Sequence, residues 1–344
     1  MELPRSVVIG HDALEQVVDV CARLRLGKAG LIVADPTTFK VAGERVKAAL
    51  EASGLRAGEF LISEATVAIV DEVAGILTAG GYEFAIGVGG GRPIDVAKCA
   101  ATKAHLPYLS VPTAASHDGV VSARASIFDE RGKVSLAANA PIGVIMDTKI
   151  IASSPFRLLA AGCGDIISNS TAVKDWLLAH NLRHESYSTY AAALSEMTAQ
   201  MVIENAHGIK PGLEESAWFV SKALVSSGVA MSIAGSSRPA SGSEHKFSHA
   251  LDMVAKKPAL HGEQCGVGAV IMMALHGGDW KKIKTALATI GAPTNAKELG
   301  VTGEEVLEAL EIAHKIAPER YTILGDRGLS HEAAERLATT TGVI

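Results

Sequence analysis

Aromatic residues are scarce in this chain, at 4% of 344 positions, and there are only four cysteines. With few rings to fill space, the interior falls to Ala and small aliphatic residues, which favours close-packed helices. Cys21, Cys99, Cys163 and Cys265 are scattered and form no Cys-x-x-Cys pair. That excludes a disulfide framework and points to a reducing, cytoplasmic setting. An excess of positive charge is missing too. The net charge of -5 and the pI near 6.2 argue against a nucleic-acid partner. No uninterrupted apolar run reaches the roughly 18–20 residues that a membrane span needs. The opening MELPRSVVIG lacks the basic and apolar regions of a signal peptide. The balance of 48% hydrophobic to 20% charged residues is that of a folded globular chain. Its length calls for two cores rather than one.

The first half alternates short β-branched runs with amphipathic stretches. Strands are expected at Ser6–Ile9, Gly30–Ala34, Phe60–Ile62, Phe84–Val88, Tyr108–Pro112 and Ile142–Met146. Helices are expected from about Asp12, over Val41–Leu50 and over Thr66–Leu77, with a left-handed stop at Gly80-Gly81. Such alternation predicts parallel βαβ units. Ala125–Phe128 and Lys133–Leu136 flank Asp129-Glu-Arg-Gly132 and predict a hairpin. After about Asp147 the strand-like runs give way to Ala/Leu/Met-rich segments such as 188–206. The expected architecture is therefore an α/β Rossmann-like N-terminal domain with a parallel sheet, residues 1–150, and an all-α C-terminal domain, residues 151–344. The expected ligand site is the cleft between them.

Gly87-Val-Gly-Gly-Gly-Arg-Pro-Ile-Asp95 joins a predicted strand to a helix. Glycines let a backbone approach a pyrophosphate closely, and Pro93 suits a first helical turn, where its missing N–H costs nothing. The spacing departs from Gly-x-Gly-x-x-Gly, so a plain tight turn is the competing reading. Asp95 is a candidate acceptor for a ribose hydroxyl. Asp35, before Pro36, is either a second nucleotide contact or simply the start of a turn.

Three histidines, His245, His249 and His261, fall close together, and Asp165 lies upstream in Gly162-Cys-Gly-Asp. One Asp with histidines is the donor set of a catalytic divalent metal that keeps a coordination position open. His245 and His249, at i and i+4, share a helix face, and spacing alone leaves open which of them is the ligand. His180 and His184 repeat that spacing without a third partner and read as a solvated face. Glu263 is a candidate to orient His261. Cys163 and Cys265 read as small core residues.

Taken together, these motifs resemble the superfamily of iron-containing alcohol dehydrogenases, glycerol dehydrogenases and dehydroquinate synthases. They are Gly89-Gly-Gly-Arg-Pro-Ile-Asp95, Val111-Pro-Thr113, Gly162-Cys-Gly-Asp165, His245-x-x-x-His249 and His261-Gly-Glu263. Within it, Val111–Ile127 and Ser241–Asp252 resemble the sn-glycerol-1-phosphate dehydrogenases. These are typical of archaea, where they make the glycerophosphate backbone of membrane phospholipids. The resemblance implies Zn²⁺ on Asp165, His245 and His261, with His249 facing the substrate. It places Asp118 on the substrate hydroxyls, with Asp165 close enough to touch substrate as well. NAD or NADP would lie on Gly91, Arg92, Pro93, Ile94 and Asp95, on Thr113, Ala114, Ala115 and Ser116, and against Ser122. It also implies a homo-oligomer and, as the reaction, reduction of dihydroxyacetone phosphate to sn-glycerol 1-phosphate.

Cations for the substrate phosphate are sought among Arg238, Lys246, Lys256 and Lys257, each of which also reads as an ordinary surface charge. One Asp and two His suit zinc, iron or nickel alike. The competing readings are a polyol dehydrogenase acting on unphosphorylated glycerol, a cyclase like dehydroquinate synthase, and a nucleotide-binding regulator with a structural metal.

Overall fold

The protein is described by a computed structural model covering residues 3–130 and 132–344. The chain folds into two compact units. Residues 1–156 and 211–228 form the first, and residues 157–210 and 229–344 the second. The segment 211–228 thus belongs with the strands, although composition groups it with the helical half. Ser227 Oγ donates to Asp118, Thr148 Oγ1 donates to Glu214, and His11 meets the same Glu214 carboxylate.

The first unit is built on a parallel sheet of β1 (Ser6–Gly10), β2 (Ala29–Ala34), β3 (Arg56–Leu61), β4 (Phe84–Gly89), β5 (Tyr108–Pro112) and, after a hairpin, β8 (Gly143–Asp147). Their order is β1-β8-β5-β4-β2-β3, and every pairing is parallel. Side chains alternate across a strand. Ile32, Ala34, Phe84, Ile86 and Val88 therefore enter one core, while Leu31, Val33 and Ala85 enter another. Strands covered on both faces read as continuous apolar runs, which makes β2 and β4 plain in the sequence. β3 runs Arg56–Leu61, earlier than expected, because this edge strand carries Arg56 and Glu59 and has no fully buried residue to announce it. The hairpin strands β6 (Arg124–Asp129) and β7 (Gly132–Ala137) pair antiparallel, and Arg131, between them in the sequence, lies outside the described residues.

From β2 the chain steps outward to β3, whereas from β4 it steps the other way to β5. The carboxyl ends of β2 and β4 then face a crevice from which the connections diverge, the usual ligand position in an open α/β sheet. Around Asp35 the helix is broken into Pro36–Thr38, a widened turn Phe39–Gly43 and then Glu44–Ala52.

Among its described residues the second unit has helices and connecting loops but no strand. Its long helix Phe156–Arg183 carries Asp165, and Ser243–Val254 and His261–Leu275 carry the three histidines. One helix, Glu214–Ala234, is long and apolar enough to cross a membrane, with half of its apolar window buried in the protein. Ser221, Lys222, Ser226 and Ser227 interrupt it, so no unbroken apolar run shows in the sequence.

Candidate functional site

In the second unit, Asp165, His245, His261 and Cys265 bring one donor atom each within 4.8 Å of one another. Asp165 Oδ1 lies 3.7 Å from Nε2 of both His245 and His261. Separations of this size suit donors around one ion held at about 2.0–2.1 Å from each. Asp165 is 1% exposed and His245 8%. Carboxylate and imidazole at this burial are a donor set for a divalent cation of the zinc or iron type.

Glycine makes the cluster possible. A Cβ at Gly164 would run into the Gly262 carbonyl oxygen, and one at Gly262 into that of Ala161. The two helices therefore meet backbone to backbone, which brings Asp165 and His261, each next to one of those glycines, to one point. His249 stands beside the cluster rather than in it. Its ring centroid is 5.7 Å from that of His261, and its Nδ1 is 3.9 Å from an Asp252 oxygen.

Two side chains near the cluster, Glu263 and Cys265, act differently from the sequence expectation. Glu263 does not orient His261. Its carboxylate accepts from Leu260 N, capping its own helix, and forks onto Arg157 at 2.6 and 2.7 Å. Ser248 Oγ is the group beside His261 Nδ1, at 3.3 Å. Cys265, one helical turn beyond His261, enters the donor group instead of the apolar core, its Sγ 3.6 Å from His261 Nε2. Burial holds its thiol up at about 11. For His245, burial opposes charging, but the Cys265 sulfur and the Glu244 carboxylate outweigh it and raise its pKa well above the usual value.

Glu244 is a functional candidate that residue spacing does not suggest. It is fully buried, accepts from His245 at 3.0 Å and also accepts from Thr171 and Gly242. A carboxylate directly preceding a metal-type histidine is the available signal.

In the first unit, the glycine loop behaves as a close-approach turn. Gly89 has φ of 150°, and a Cβ there would press on Pro93 and Thr38. Gly91 and Arg92 open the helix Gly91–Lys103, where the first backbone N–H groups have no carbonyl within the helix to meet. Pro93 and Ile94 face the core. Asp95 is turned inward. It is 4% exposed; one oxygen takes Lys98 Nζ at 3.1 Å and the other takes Ser126 N at 3.0 Å. Asp35 caps its helix, accepting from Thr37 N and Thr38 N.

Thr113, Ala114 and Ala115 are buried where β5 ends, and Thr113 N donates to Gly89 O, tying this segment to the glycine loop. Ser116 and His117 follow at intermediate exposure. Nothing in the spacing marks His117. Its ring fills the space over Gly91 that a side chain there would occupy, and its Nδ1 accepts from Gly119 N at 3.0 Å. Asp118 begins the short turn that follows and receives Ser227 Oγ at 2.8 Å. Ser122 is buried and accepts from Arg124 N through its hydroxyl.

His180 is exposed, bonded to Glu185 O, and His184 ends the long helix with φ of 56°. Of the four phosphate-binding candidates, Lys256 and Lys257 are exposed, while Arg238 and Lys246 are 3% and 4% exposed. Arg238 is engaged by Glu185 and by the Tyr321 carbonyl.

Residues 8–155, which carry most of this sheet and the glycine loop, match the family model of iron-containing alcohol dehydrogenases. The fold is also that of the glycerol dehydrogenase of Schizosaccharomyces pombe. The two share a TM-score of 0.80 at 19% identity, over 98% of this chain and 90% of that one. Along its whole length the chain is 57% identical to a glycerol-1-phosphate dehydrogenase [NAD(P)+] of Methanothermobacter thermautotrophicus, covering 99% of that protein. It is 58% identical to the protein of that name from Methanosarcina acetivorans, of which it covers 96%. The chain belongs to the glycerol-1-phosphate dehydrogenase [NAD(P)+] family.

Proposed function

We propose that this protein is a metal-dependent oxidoreductase that reduces dihydroxyacetone phosphate to sn-glycerol 1-phosphate with NADH or NADPH, reversibly. The observation that carries this reading is identity of 57–59% across the whole chain with proteins named for that product and cofactor. The Asp165–His245–His261 cluster supplies the donors such a reaction needs.

Asp165, His245 and His261 would hold the metal. Bound there, a divalent zinc ion supplies Lewis acidity toward the ketone oxygen. The dinucleotide carries the hydride, and the chain's own task is placement. Residues 1–150 take the dinucleotide role and residues 151–344 the metal and substrate role. Gly91 and Arg92 offer first-turn amides to the diphosphate. Thr113 to Ser116 and Ser122 line the same cofactor site, and the buried side chains of Pro93, Ile94 and Asp95 shape its floor. Asp118 takes the substrate hydroxyls, with Asp165 within reach of the substrate as well. His249 delivers the proton, a role for which imidazole is the usual side chain. The enzyme works in the cytoplasm as a homo-oligomer, without membrane insertion, and supplies the glycerophosphate of membrane lipids.

Following NADPH absorbance with dihydroxyacetone phosphate, and separately with dihydroxyacetone, tests the reading. Oxidation is expected with the phosphate alone. Turnover of glycerol with NAD and none of the phosphate would instead identify a polyol dehydrogenase.

A further inference from the structure

We infer that Glu244 is the positioning residue that makes His245, rather than its helical neighbour His249, the metal-binding histidine. The inference rests on the metal reading above. A carboxylate only accepts hydrogen bonds, so the 3.0 Å contact between His245 Nδ1 and Glu244 Oε1 places the ring proton on Nδ1. In the neutral ring, the form that binds a metal, this leaves Nε2 as the lone-pair nitrogen, and Nε2 is the atom 3.7 Å from Asp165 Oδ1. The two imidazoles share a helix face at i and i+4 but differ in setting. The His249 side chain is 30% exposed, against 10% for that of His245.

Glu244 is itself held from two elements. Its Oε2 accepts from Thr171 Oγ1 at 2.7 Å, and Thr171 stands on the helix that carries Asp165. Its Oε1 also accepts from Gly242 N at 2.6 Å. Position 242 tolerates only glycine by space. A Cβ there would lie 2.6 Å from Asp175 Oδ2 and 2.9 Å from Glu244 Oε2. Asp175, fully buried, accepts from Ser243 N and Ser243 Oγ at 2.6 Å each, which fixes the start of the same helix turn. Glu244 therefore ties two of the three ligand-bearing helices together, those of Asp165 and His245. It also places a negative charge against the far nitrogen of one ligand. A carboxylate so placed fixes the tautomer and strengthens the imidazole as a donor, and losing such a partner typically weakens metal binding by about 10–100-fold.

The test uses the full-length protein and zinc alone, by competition against a chromophoric chelator, with no substrate present. Glu244→Gln keeps the shape and an acceptor for Nδ1–H but removes the charge. It is expected to weaken zinc binding by about tenfold or more and to speed zinc release, with the thermal midpoint of the metal-free protein little changed. A merely structural role would lower that midpoint and leave zinc affinity alone; affinity within twofold of the parent overturns the inference. Thr171→Val leaves the charge but frees Oε2, and a smaller loss, still beyond twofold, is expected. Should the Gln variant fail to fold, zinc affinity at the parent value in Thr171→Val overturns the proposal on its own. If the unaltered protein binds no zinc, the metal reading fails rather than this one.

Discussion

Replacing Lys98 with Met should destabilise the first unit by about 3–5 kcal/mol, the usual cost of removing one member of a buried ion pair. The structure supports the upper part of that range. Lys98 is fully buried, and its ammonium donates to Asp95 Oδ1 at 3.1 Å, to Gly119 O at 2.5 Å and to Arg124 O. Met fills a similar volume, so the effect is not a cavity but three acceptors left dry. Each buried polar group without a partner costs roughly 1–3 kcal/mol, and a charged one more. Asp95→Asn should cost less, because Ser126 N keeps an acceptor and Lys98 keeps its two carbonyls. The double variant should be more stable than the sum of the single losses, since each change removes the partner that the other strands. Denaturant unfolding of the four proteins measures the cycle. A loss below about 1 kcal/mol for Lys98→Met, or strict additivity, would refute the argument. The same anchor holds both ends of the segment that runs from the Asp118 turn past Ser122 to β6. Lys98→Met should therefore also weaken NADPH binding.

Further predictions follow from the same geometry. His249→Ala should lower turnover about a hundredfold or more while zinc per chain stays constant, because His249 lies outside the donor group; equal loss of metal and activity would place it among the ligands. Burial lifts the thiols of Cys21 and Cys163 to about 12 and those of Cys99 and Cys265 to about 11, so a thiol reagent at pH 8 should label none of them until denaturant is added. Rapid labelling of the native protein would contradict that. A hydrogen bond to Glu214 raises the His11 pKa above 6.5, and the same bond lowers Glu214 below 4.5. The His11 contribution is complete below pH 6.5 and fades as pH rises through the raised value, whereas that of Glu214 is present above 4.5 and fades as pH falls through the lowered one. Titration of the His11 ring by NMR should move back toward 6.5 in Glu214→Gln, and an unmoved midpoint would dismiss the pairing.

Strands buried on both faces are legible because β-branched runs announce them, and the cluster is legible because Asp165, His245 and His261 are the right chemical types. What stays hidden depends on neighbours distant in sequence. Nothing local says that residues 211–228 return to the first unit, since Ser227 meets Asp118 and Gly228 packs on Val121 only in three dimensions. Glu263 and Asp95 depart from expectation for a shared reason. An acidic residue beside a functional motif looks like part of it, but each is buried against a cation, Arg157 or Lys98, chosen by helix packing. Cys265 reads as a core residue from its type, and only the helical turn from His261 brings its sulfur among the donors.

The central claim is metal-assisted hydride transfer, and metal removal tests it most directly. The protein is stripped with a chelator, and zinc per chain is measured alongside NADPH oxidation by dihydroxyacetone phosphate as zinc is returned. The account predicts no oxidation without metal and recovery in step with about one zinc per chain. It also predicts sn-glycerol 1-phosphate as the product, with neither recovery nor binding in Asp165→Asn. Full activity in the stripped protein would contradict it.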